Sequence, residues 1–156
     1  MKQLLLRTAL CTMFLLFSVN AFAQIDVAMF VRMSNDIGKT RATILRENPH
    51  LIPNPNPVPG EDSLLSNRNF MGFSWVFQNG ICVRVLYGAP FDMRVWEHMI
   101  RSTTERYGDY ENPDMNHIII SWKNRPVIGM EIILIGGGGT TMFFYVDKMG
   151  WQSNRR

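Results

Sequence analysis

The stretch Phe73–Tyr87, "FSWVFQNGICVRVLY", decides how the rest of the chain is read. Phe73, Trp75 and Phe77 alternate with Gly72, Ser74 and Val76. Ile81, Val83, Val85 and Tyr87 alternate with Cys82, Arg84 and Leu86. Successive side chains on a strand point to opposite faces, so a period of two marks two strands that each favour one face. Between them stands Gln78-Asn79-Gly80. Asn-Gly accepts positive φ at both central positions of a tight turn whose twist suits the strands it joins. The stretch reads as a β-hairpin, so the fold must contain antiparallel sheet.

Downstream, "PFDMRVWEHMIRSTTERYGD" changes period. Met93, Trp96, Ile100, Thr103 and Tyr107 recur every three or four residues and share one helical face. Asp92 can cap this helix and Gly108 can close it. The polar run "DYENPDMN" then reads as a loop. Two strands follow, "HIIISW" and "VIGMEIILI", joined by Lys123-Asn124-Arg125-Pro126, and a last strand "TTMFFYV". Both faces of these strands are apolar, as expected of strands covered on both sides.

Upstream, Lys39–Glu47 suits a short helix with Ala42, Ile44 and Leu45 inside it, closed by Pro49. Residues 49–61 form a proline-rich loop of extended, polyproline-like backbone. It reads as a stiff surface loop rather than as a ligand for a proline-binding groove. Residues 25–33, "IDVAMFVRM", suit a short strand or the first turns of a helix, and period does not separate the two. The expected fold is α+β in two layers. An antiparallel sheet of about five strands carries one or two helices, in the order α-β-β-α-β-β-β.

The first 23 residues have the grammar of a secretory signal. Lys2 and Arg7 form a basic start, an apolar run continues to Val19, and Ala21-Phe22-Ala23 offers a small-x-small cleavage site before Gln24. The apolar run is shorter than the roughly 20 residues a spanning helix needs. Cys11 lies inside that run rather than at its end, which speaks against a lipid anchor. The expected organisation is a signal over 1–23, a single α+β domain over 24–152 and a frayed tail over 153–156. The expected location is periplasmic or extracellular. Without Lys2 and Arg7 the 16 Lys and Arg become 14 against 13 Asp and Glu, a net charge of +1. No clustered basic face suggests nucleic-acid binding, and no later segment is apolar enough to span a bilayer.

Candidate chemistry is sparse. Gly136–Gly139 follow the apolar run "ILI", as a phosphate loop would. The residues after them, from Thr140 to Val146, are β-branched and aromatic, so strand follows where a phosphate site needs a helix N-terminus. The run reads as a hairpin tip. His50, His98 and His117 share no metal-ligand spacing, so no metal and no cofactor is expected. Cys82 sits mid-strand between Ile81 and Val83, where a thiolate has no stabilising surroundings, and reads as a small apolar residue. Carboxylates gather at Glu105, Asp109, Glu111 and Asp114, a pattern of solvated loops that also permits a weak calcium contact. The aromatic residues Trp75, Trp96, Trp122 and Tyr145 are the candidate ligand-binding set, as aromatics exposed on an exported sheet face can bind a glycan, a lipid or a protein partner.

"NDIGKTRATILREN", then "FSWVFQNGICVRVLY", then a helix ending "RYGDY" resembles the layout of small exported bacterial α+β proteins of uncharacterised function, over residues 36–110. The resemblance implies an exported domain and transfers no catalytic residue. Gly38-Lys39-Thr40 looks like the end of a phosphate-binding loop, but no glycine stands at the head of the loop that such an ending needs. The expected function is a non-catalytic binding or interaction domain in the cell envelope. Two other readings remain open. One is a hydrolase-like enzyme whose site is assembled from distant residues near His98, His117 and Glu111. The other is a structural subunit of an envelope assembly.

Overall fold

The computed structural model describes residues 25–57, 60–67, 71–114, 119–122, 127–135 and 139–148. Three helices and eight strands lie within them: α1 (Ala28–Ser34), α2 (Arg41–Glu47), β1 (Ile52–Pro53), β2 (Asp62–Leu65), β3 (Gly72–Gln78), β4 (Ile81–Pro90), α3 (Met93–Tyr107), β5 (Glu111–Asp114), β6 (Ile119–Trp122), β7 (Val127–Ile135) and β8 (Gly139–Asp147). All eight strands form one antiparallel sheet in the order β1-β2-β3-β4-β8-β7-β6-β5. The expected sheet of about five strands with one or two helices, in the order α-β-β-α-β-β-β, is therefore corrected.

Each added element has a physical reason. The stretch 25–33, open between strand and helix from its sequence, turns into α1 at Ala28: the Met29 amide donates to both the carbonyl and Oδ1 of Asp26, at 2.9 and 3.0 Å, and Met29, Phe30 and Met33 share one buried side. The proline-rich stretch contains β1, paired through Ile52↔Leu65 and Pro53↔Leu64. Pro53 has no amide to donate, which an edge strand tolerates. Asn54 orders the loop that follows, since its amide and its side chain both donate to Ser63, at 2.9 and 3.0 Å. At the opposite edge, β5 forms from "ENPD", read from sequence as loop, and again carries a proline. Two edge strands containing proline blunt the sheet against edge-to-edge pairing.

The centre of the fold follows the local signals. The β3–β4 turn places Asn79 at φ 51° and Gly80 at φ 75°, the twist expected of Asn-Gly. Asp92 Oδ1 accepts from the amides of Arg94 and Val95 at 2.8 and 3.3 Å, starting α3. Gly108 at φ 87° ends it. One correction falls inside the hairpin. Val76 pairs with Arg84 but Phe77 pairs with Cys82, so Val83 is an unopposed bulge residue. The bulge shifts the parity of β4, so Val83 does not continue the row of Val85 and Tyr87. Cys82 instead joins Phe77 on the core side.

The sheet has two unlike faces. Leu64, Trp75, Val85, Phe144, Met130 and Trp122 lie on the inner face, in one cluster with Met29, Phe30 and Met33 of α1, Ile44 of α2, and Trp96 and Met99 of α3. Phe30 meets Phe144 edge-on at 6.3 Å, which fixes α1 on this side. Each of these apolar side chains contributes about 1.5–3 kcal/mol by leaving water. Register places Leu65, Val76, Arg84, Leu86, Tyr145 and Asp147 on the outer face. Leu65, Val76 and Tyr145 are buried yet stand outside the helix-bearing cluster. Among the described residues no helix is long and apolar enough to cross a membrane.

Candidate functional site

The outer face is centred on the seam between β4 and β8, where Arg84 pairs with Asp147 and Leu86 with Tyr145. Arg84 Nε donates to Asp147 Oδ2 at 2.6 Å. Asp147 is 2% exposed, whereas 31% of the Arg84 side chain is accessible. A carboxylate this deeply buried needs a cation, and the guanidinium is in turn held in one orientation. Beside this pair, Tyr145 lays its ring across Gly129, the residue opposite it on β7. A Cβ at Gly129 would collide with Cζ and Oη of Tyr145, so the ring's position requires glycine. The Tyr145 hydroxyl is buried and has no hydrogen-bond partner among the described residues. Burial raises its pKa well above the ordinary tyrosine value. Glu131 and Asp147 raise it further and Arg84 opposes them, so the phenol remains protonated and able to donate.

Around these polar groups the outer face carries partly exposed apolar side chains: Leu86 on β4, Phe143 on β8 and Ile133 on β7. Gly88, opposite Phe143, adds no side chain of its own. The result is a mixed surface, with an oriented guanidinium and a buried phenol amid half-buried apolar groups.

The four aromatic residues expected to bind ligand share no exposed face: Trp75, Trp96 and Trp122 belong to the inner-face core cluster and Tyr145 does not. Trp75 is buried on the inner face, and its indole Nε1 donates to Asp36 Oδ2 at 2.9 Å. Trp96 is buried on the core side of α3. Trp122 is fully buried, with Tyr110 edge-on at 5.9 Å, and its Nε1 has no partner among the described residues. Tyr145 alone lies on the outer face. The Arg84–Asp147 pair escaped sequence reading, because it joins residues 63 positions apart. Its only local signal is a lone arginine within an apolar strand.

The remaining candidates are placed as follows. His98 is exposed on α3, beside a shallow depression of about 240 Å³ lined by Asp92, Arg94, Val95 and His98. The Arg94 and Val95 amides at that helix start are already satisfied by Asp92. Glu111 opens β5. His98 precedes Tyr107 by nine residues, so helical rise alone sets it about 14 Å along the axis from the end that leads to Glu111. His117 and Gly136–Gly138 lie outside the described residues, as do the segments 1–23 and 153–156. Among the described residues, no group of three His, Cys, Asp or Glu side chains could hold a metal ion.

Cys82 is fully buried, and burial, with Asp36 adding to it, pushes its thiol up to about 12. It is a packed thiol rather than a nucleophile at neutral pH. Gly38-Lys39-Thr40 is consumed by structure. The Gly38 amide donates to the Cys82 carbonyl at 2.8 Å, Lys39 Nζ donates to Asp36 and Glu47, both at 2.7 Å, and Thr40 Oγ1 caps α2 through the Thr43 amide at 3.1 Å. No protein-family model matches the chain, and neither a curated protein nor a solved structure matches it.

Proposed function

We propose that the chain is an exported, non-catalytic binding domain of the cell envelope that meets a protein partner with the outer face of its sheet. The observation that carries this reading is that face itself. Leu86, Phe143 and Ile133 are only half-buried there, beside an arginine held in fixed orientation by Asp147. Protein interfaces favour such a combination, in which apolar side chains supply area and an oriented guanidinium supplies specificity. The proline-bearing edges leave little room for recognition by strand addition. Export rests on the basic start, apolar run and small-x-small site of residues 1–23.

The test places a photo-crosslinking amino acid at Leu86, Phe143 or Arg101 of the full chain, in cells that are then fractionated. Discrete adducts from Leu86 and Phe143 in the exported fraction, with none from the exposed helix position Arg101, are expected. Equal adducts from all three positions, or a chain retained in the cytoplasm, would overturn the reading.

A further inference from the structure

We draw no further inference here: the strongest candidate, the Arg84–Asp147 pair with the unpartnered Tyr145 hydroxyl on the outer face of the sheet, belongs to the surface already described, and nothing in the structure shows what covers it.

Discussion

Tyr145 buries its ring on Gly129 and takes its hydroxyl out of water without a hydrogen-bond partner among the described residues. A buried hydroxyl left unpaired costs about 1–3 kcal/mol. Tyr145→Phe removes that group and keeps the ring, so it is expected to stabilise the protein by about 1 kcal/mol, read as a higher urea midpoint. A lower midpoint would show that the hydroxyl is satisfied in solution. Gly129→Ala acts in the opposite direction. Its new methyl needs the space that Cζ and Oη of Tyr145 occupy, and overpacking of this kind costs about 1–3 kcal/mol. Combining the two substitutions gives no rescue, because phenylalanine retains Cζ. A Gly129→Ala chain as stable as the parent would mean that the ring moves aside cheaply.

Elements that announce themselves locally were legible, and elements that depend on a distant partner were not. The β3–β4 hairpin follows from Asn79-Gly80, and α3 from Asp92, Gly108 and its apolar spacing; each signal lies within a few residues of what it specifies. The edge strand β1 is a two-residue Ile-Pro and β5 combines proline with polar residues, and both are strands only because β2 and β6 pair with them. The bulge at Val83 and the Arg84–Asp147 pair depend on register, which period does not fix. The turn between α1 and α2 is a further case. Lys39 joins Asp36, which holds the Trp75 indole, to Glu47 on α2. The Asp36 hydrogen bond first, then that to Glu47, raises the Lys39 pKa above 10.5. A cation whose folded pKa is raised gives stability that is fully present below its unfolded value and is lost as pH climbs through the folded one. Urea midpoints of the parent and of Lys39→Gln should therefore differ by a constant amount up to about pH 10 and converge above 10.5. Cys82 also feels the Lys39 charge and titrates in this range, so both chains carry Cys82→Ala to keep its thiol out of the comparison. A gap unchanged to pH 11.5 would detach the alkaline limb from this contact.

The strand order β1-β2-β3-β4-β8-β7-β6-β5 reads the same from either edge when the two meanders β1–β4 and β5–β8 are exchanged. Each meander is continuous in sequence and is preceded by helix. The two meet along one seam, where β4 and β8 pair from Arg84↔Asp147 to Pro90↔Thr141. Helix α1 packs across that seam against both β8 and β4, with Phe30 on Phe144. Two consequences follow for folding. Within a meander every strand pair is local and closes a short loop cheaply, whereas the seam joins distant residues and carries the larger entropic cost. The second half alone also exposes the inner-face apolar surface of β8, Phe144 included, that α1 of the first half covers. Cutting the chain between the meanders tests this division. Residues 24–91 and 92–156, produced as separate chains, are each expected to lack a cooperative thermal transition. Mixed, they should form a one-to-one complex that melts cooperatively, because only the loop-closure term is given up. Shortening the first fragment to residues 36–91, without α1, should abolish capture of the second. A fragment that melts cooperatively by itself, or capture that persists without α1, would show that the seam is not where the two halves depend on each other.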